Sequence, residues 1–414
     1  MAAQIDSAAE RYQTYRQSFR KTVVLALAAM LASAAIIIVG IVPFDSAPIA
    51  VFGGALLVAS GIVCASGVLV LYRHRREQTG EPDLFWARLA RLEDRPPRGL
   101  WRRVFAPRLR AGTLVRVRQP QEILATLDEH AETDGIPFMP EMWRCCGQQF
   151  PVHRVVDKIN DWSGRTGTGL RRLKQFVTLR DIRCDGSAHG GCQADCHILW
   201  HARWLDTVAD AAKPESSFAV DPIPDVVACN TLSRADEAPC YKCQITELVR
   251  ASRKLKSWDI RQDLQPLLYG NVDLVGFLIA VLTRTFNGIQ RLRQGMTYPM
   301  MPRQLERGPT PSRSLGLQPA EFVVALDKAA IGRTLYRNRN RGLWFGAETM
   351  RFCGQRYRVR QRVERFVDEC TGEMTTPLNP FVTLETVMAT GEFLRFCPQN
   401  EYVYWREIWL NRDD

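Results

Sequence analysis

Residues 176–205 and 381–410 are two versions of one segment. FVTLRDIRCDGSAHGGCQADCHILWHARWL aligns without gaps on FVTLETVMATGEFLRFCPQNEYVYWREIWL, with nine identities in 30 positions, among them Gly186/Gly391, Cys192/Cys397, Trp200/Trp405 and Trp204/Trp409. Upstream, 135–161 aligns on 342–368 with ten identities in 27, including Phe138/Phe345, Cys146/Cys353, Gly147/Gly354 and Val152/Val359. The alignment extends N-terminally through Leu109–Val115 with Leu317–Val323 and Thr126-Leu127 with Thr334-Leu335. A unit of roughly 95 residues, the size of a small domain, therefore occurs twice. Two copies are too few for a solenoid, so a tandem or pseudo-twofold pair is expected.

Within each copy the pattern mixes strands and helices. Residues 113–118 alternate apolar and polar with the period of a half-buried strand, and 122–128 read as a short helix. In the second copy Tyr357, Val359, Gln361 and Val363 alternate with Arg356, Arg358, Arg360 and Arg362, a strand with one face entirely Arg. Residues 381–384 predict another strand. Residues 402–410 predict a helix, with Trp405 and Trp409 one turn apart. The expected fold class is α+β: a tandem of two small mixed β/α domains, SH3-like barrels or rolls, behind an N-terminal membrane hairpin.

That hairpin rests on two charge-free runs, 22–44 with 23 residues and 46–72 with 27. Each exceeds the ~20 apolar residues that a spanning helix needs. Arg11, Arg16, Arg20 and Lys21 precede the first run, and Arg73, Arg75 and Arg76 follow the second. The positive-inside rule then places both flanks on the cytoplasmic side of the membrane, with the short turn at Asp45 outside. The expected organisation is an N-tail (1–21), the hairpin (22–72), a basic juxtamembrane segment (73–108), repeat 1 (109–208), a linker with a CxxC and an amphipathic helix (209–316), and repeat 2 (317–414). In that linker residues 271–294 predict a helix between the repeats, with a surface helix on the inner leaflet as the alternative. The lipid bilayer is the first expected partner; a membrane protein or a second copy is the next.

The most chemically loaded stretch is 184–197, with Cys184, His189, Cys192, Cys196 and His197 on a Gly-rich turn; Cys240 and Cys243 form a CxxC some 45 residues later. In a reducing compartment these thiols are free or metal-bound, and three Cys with one His is a common zinc set. The candidate metal ligands are Cys184, His189, Cys192, Cys196, Cys240 and Cys243. The repeat supplies an internal control. Cys184, His189 and Cys196 become Ala389, Leu394 and Glu401 in copy 2, so metal is not needed to fold this domain type. Cys146, Cys192, Cys353 and Cys397 are shared and read as packing residues, although Cys192 can serve both roles.

The string CDGSAH resembles that of the CDGSH iron–sulfur proteins, with an inserted Ala188 and no upstream CxC. That resemblance implies an iron–sulfur cluster as the alternative cofactor to zinc. The stretches GIPFMPEMWRCCG, CDGSAHGGCQADC, NRGLWF and YWREIWL resemble an uncharacterised bacterial membrane-anchored family with no assigned activity. That resemblance implies a place in envelope polysaccharide or natural-product biosynthesis.

The net charge of +11 is concentrated in 73–118 and 331–365, each at net +8. The second patch offers Arg337, Arg339, Arg341, Arg356, Arg358 and Arg360 as polyanion-binding candidates. With no recognised RNA-binding motif, nucleic acid is not the expected partner. The chain contains no P-loop, GxGxxG, nucleophile elbow or HExxH, and whether it is an enzyme stays open. Cys145-Cys146 with His153 is the one nucleophile–base arrangement on offer, and copy 2 does not repeat it. The expected function is a membrane-tethered cytoplasmic adaptor or assembly factor with a structural zinc site. The alternative is a metal- or thiol-dependent enzyme acting on an anionic substrate at the inner membrane.

Overall fold

The computed structural model describes residues 47–94, 109–161, 169–208, 240–256 and 258–413, with a few isolated positions elsewhere. Apart from such positions the first apolar run lies outside the described residues, as do Arg102, Arg103, Arg108, Cys229 and most of 209–239. The chain is α+β and divides into two compact units, 1–88 with 274–301, and 89–273 with 302–414.

The first unit pairs helix α1 (Ala47–Gln78) with helix α4 (Leu274–Leu292). Within α1, Ala55–Gln78 has a mean hydropathy of 2.3 and is, among the described residues, the one helix long and apolar enough to cross a membrane. Its basic end is fastened by polar contacts. Arg73 is buried, donates to Thr283 Oγ1 at 2.8 Å and pairs with Asp83 at 2.7 Å, while Tyr298 Oη donates to Glu77 at 2.9 Å.

The second unit holds both copies of the repeat. Copy 1 contributes β1 (Leu114–Val117), β2 (Gln149–Asn160), β3 (Leu170–Arg183), β4 (His197–His201) and β5 (Leu205–Thr207). Its strand order is β4-β3-β2-β1-β5, all antiparallel, with β6 (Arg253–Lys254) also pairing β3. Copy 2 contributes β7 (Phe322–Ala325), β8 (Arg356–Val363), β9 (Phe381–Met388), β10 (Tyr402–Arg406) and β11 (Leu410–Arg412), in the order β10-β9-β8-β7-β11. The registers coincide with the sequence alignment. Val152 faces Leu179 as Val359 faces Leu384, and Val115 faces Phe150 as Val323 faces Tyr357.

Each core centres on two fully buried tryptophans, Trp200 and Trp204 or Trp405 and Trp409. Phe138 meets Trp204 edge-on at 5.2 Å, and Phe345 meets Trp409 at 5.4 Å. The segment 402–410 is not a helix. Trp405 lies in β10 opposite Val382, and a 3-10 turn at Glu407–Trp409 swings the second indole into the same core, 6.3 Å from the first. Strand alternation plus one tight turn thus mimics the four-residue spacing of a helix. The segment read as a linker is also partly folded: helix α2 (Gln244–Ala251) buries Gln244 and Leu248, and helix α3 (Arg261–Leu268) follows it.

The two indoles differ in their acceptors. Trp204 Nε1 donates to Thr126 Oγ1 at 3.0 Å and to Thr133 Oγ1 at 3.2 Å, whereas Trp409 Nε1 donates to Thr334 Oγ1 at 2.9 Å. Thr334→Val should therefore cost about 1–3 kcal/mol by orphaning a buried donor, and Thr126→Val distinctly less. Chemical denaturation of the two variants checks the order.

Candidate metal centre

The site grows from the turn that follows β3. Gly186 sits at φ +72°, and a Cβ there would lie 2.1 Å from the Cys192 carbonyl oxygen, so only glycine lets the loop fold back this tightly. Backbone bonds close it: Gly191 N–H donates to Gly186 at 2.9 Å and Cys184 N–H to Cys196 at 2.9 Å. Copy 2 repeats this with Gly391, Phe396 N–H onto Gly391 at 2.8 Å, and Ala389 N–H onto Glu401 at 2.8 Å. The turn is a property of the repeat. Its side chains are what differ.

In copy 1 the turn brings the Cys184 sulfur 3.3 Å from His189 Nε2, and one atom each of Glu141, Cys184 and His189 lie within 4.8 Å of one another. This Glu/Cys/His cluster could hold a metal ion. Cys192, Cys196 and Cys243 line the same cavity, of about 560 Å³, as do Met139, Trp344, Phe366 and Phe393. Cys243 arrives as the residue preceding α2, where the amides of Ile245 and Thr246 point at its sulfur. Cys184 faces the Gly186 amide, and Cys192 Sγ accepts from Val367 N–H at 3.3 Å. Backbone N–H donors aimed at sulfur are the hydrogen bonds that hold and tune metal-bound thiolates.

Burial sets the protonation of the cluster's own side chains. It pushes the Cys184 and Cys196 thiols up and Cys243 up to about 11, so each carries its proton near neutrality without a nearby cation. Burial also pushes His189 down, leaving the neutral imidazole that coordinates metals, and pushes Glu141 up. A divalent ion reverses this balance by deprotonating the thiols it binds.

Copy 2 shows what the same glutamate does without such a cluster. Glu348, the counterpart of Glu141, accepts from Thr390 N–H at 2.9 Å, Thr390 Oγ1 at 2.8 Å and Phe393 N–H at 3.2 Å. It is a cap for the glycine turn. Glu141 is 6% exposed, and its carboxylate faces the Cys184 thiol instead of capping the turn; among the described residues His189 Nδ1 has no hydrogen-bond partner. At the counterpart of Thr390 stands Asp185, which turns outward to Arg144 at 2.7 Å. A cap has been traded for a buried carboxylate facing a thiol and an imidazole. The sequence analysis missed Glu141 because it is shared by both copies; the informative change lies in its partners.

Other candidates fall elsewhere. Cys240 does not line the cavity, and its thiol donates to the Thr371 carbonyl at 3.1 Å. Cys146 is pushed up to about 12 by burial, while His153 stacks on His197 at 5.0 Å and lies 3.1 Å from Asn400 Oδ1. These are not a nucleophile and its base. The Arg face of β8 is charge-compensated: Arg356 pairs with Asp413, Arg358 with Glu385 at 3.6 Å, Arg360 with Asp195 and Arg362 with Glu407. Arg337 and Arg339 lie over the rings of Tyr336 and Trp344, and Arg341 N–H donates to Thr310 Oγ1 at 3.0 Å.

No protein-family model matches the chain, and no curated protein matches it.

Two outcomes follow. In metal-free protein at pH 7, Glu141→Gln should raise stability by about 1–3 kcal/mol by removing a desolvated buried charge, while weakening metal binding. Denaturation with and without metal reads both signs. Burial also holds His153 down to about 3, so below its ordinary 6.5 the unfolded chain takes up a proton that the folded chain refuses. Stability should fall from pH 7 to pH 5, and His153→Gln should flatten that slope by up to about 1.4 kcal/mol per pH unit.

Proposed function

We propose that this chain is a membrane-anchored cytoplasmic protein whose repeat 1 holds a structural zinc ion, and that the pair of repeats serves as an adaptor or assembly platform. The observation that carries the reading is the buried Glu141 carboxylate facing Cys184 and His189, where its counterpart Glu348 caps the glycine turn. Glu141, Cys184 and His189 supply three positions of a tetrahedral set; a thiol of Cys192, Cys196 or Cys243 supplies the fourth. The metal would fix a loop that already binds copy 2. Gln193 Oε1 accepts from Glu364 N–H at 2.7 Å and Arg365 N–H at 3.1 Å, and Asp195 pairs with Arg360. Zinc is favoured over an iron–sulfur cluster by the mixed carboxylate, thiol and imidazole donors.

The anchor reading is built from α1 and the uncharged run 22–44 as a second span, with both flanks on the cytoplasmic side under the positive-inside rule. A place near envelope polysaccharide or natural-product assembly fits such a tether.

The second reading, a metal-dependent enzyme, is favoured by one observation: the cluster opens on the 560 Å³ cavity, a volume suited to a small molecule. Among the described residues, those that line it include Glu141, Glu348, Asp368, Glu369 and Glu401 and no Lys or Arg, which argues against the anionic substrate expected for it.

The purified full chain should carry about one zinc and be colourless. Zinc at a thousandfold excess over its Kd should stabilise it by about 4 kcal/mol, and Cys184→Ser should abolish that gain. Metal content with thermal unfolding tests this. A stable, zinc-free wild-type protein removes the site, and a visible absorption band with bound iron replaces zinc by a cluster.

A further inference from the structure

Helix α3 is turned inside out. Its buried residues are Gln262 and Pro266, while Leu264 and Leu268 are exposed; just upstream, Trp258 and Ile260 are 73% and 70% exposed. The reason is a set of polar anchors on its inner side. Pro266 has no N–H, which leaves the Gln262 carbonyl without its helical donor, and Lys158 Nζ takes that place. Asp263 is gripped by Arg395 at 2.6 Å, Asp259 by Arg172 at 2.9 Å, and Tyr269 O accepts from Ala111 N–H at 3.0 Å. These bonds hold the backbone against the sheet and aim four large apolar side chains at solvent.

The rim of this patch is basic. Arg253, Lys254, Lys256 and Arg261 are exposed, and Lys256 Nζ stands 5.2 Å from the Trp258 ring centre. The acids of the segment, Asp259 and Asp263, are already engaged with arginines. Exposed aliphatics with a tryptophan among lysines and arginines have the composition of an interfacial membrane element.

We propose that the 253–268 surface docks on an anionic lipid leaflet, with Trp258, Ile260, Leu264 and Leu268 in the headgroup–acyl boundary and Arg253, Lys254 and Lys256 on lipid phosphates, Arg261 being held by Asp259. Charge complementarity selects this occupant, since Lys and Arg side chains are attracted to an anionic leaflet. The inference rests on the chain meeting a membrane and is independent of the metal centre.

The test uses the full chain in nanodiscs whose acyl chains carry bromine, a quencher of tryptophan. The Trp258 contribution is isolated as the difference between wild type and Trp258→Phe. In phosphatidylglycerol discs that emission should be quenched roughly twofold or more, as expected for an indole at the acyl boundary. The Lys254→Glu/Lys256→Glu and Leu264→Ser/Leu268→Ser variants should lose the quenching; both alter exposed positions, and circular dichroism with thermal unfolding reports their folding. An unquenched Trp258, or equal quenching in pure phosphatidylcholine discs, overturns the proposal. So does a Trp258 shielded from iodide in detergent, which would assign the patch to a second copy.

Discussion

Everything distinctive about the second unit hangs on a turn that admits no Cβ. Gly186 and Gly391 let the chain reverse after β3 and β9 so closely that the returning strand starts within bonding distance of its own origin. A strained glycine turn needs its polar ends satisfied. Copy 2 does this with Glu348, whose carboxylate caps the turn at Thr390 and Phe393. Copy 1 keeps the glutamate and the turn but replaces the capped residues by Asp185 and Ala188, next to Cys184 and His189. The buried carboxylate is left facing the Cys184 thiol and the His189 imidazole instead of the turn. A divalent cation is the simplest group that satisfies a carboxylate, a thiol and an imidazole at once.

This makes the pseudo-symmetric pair informative in a way that one copy would not be. Burial of a lone carboxylate is unfavourable, and a fold that persists without it, as copy 2 does with a cap, shows that the backbone does not require it. The same comparison separates Cys192 from Cys397. Cys397 Sγ contacts Gln399 Oε1 at 3.2 Å, while Cys192 Sγ accepts a backbone N–H from copy 2 and lines the cavity. One shared cysteine contacts its own copy; the other contacts copy 2 and shares a cavity with the Glu/Cys/His cluster.

The repeat was legible in the sequence where identities were dense, and its aligned positions Val152/Val359 and Phe176/Phe381 have equivalent strand partners. Segment 402–410 misled, since a 3-10 turn after a strand returns Trp409 to the face of Trp405 as a helix would. The cysteine cluster was visible as spacing, which brought Cys184, His189, Cys192, Cys196 and Cys243 to one cavity but could not tell that Cys240 turns away to Thr371. Glu141 was invisible to a search for differences, being identical in both copies. The Arg stripe of β8 was legible as a face, but its acids come from Asp195, Glu385, Glu407 and Asp413, remote in sequence.

The outward apolar face of α3 follows from the same kind of distant contact, since Lys158 and Arg395 decide which side of the helix turns in. The central claim, however, is the metal at the glycine turn. Zinc X-ray absorption on the purified full chain tests it most directly. Mixed sulfur and nitrogen/oxygen ligation is predicted, with a zinc–sulfur distance of about 2.3 Å that disappears in Cys184→Ser. A chain without zinc, or zinc ligated by oxygen and nitrogen alone, would contradict it.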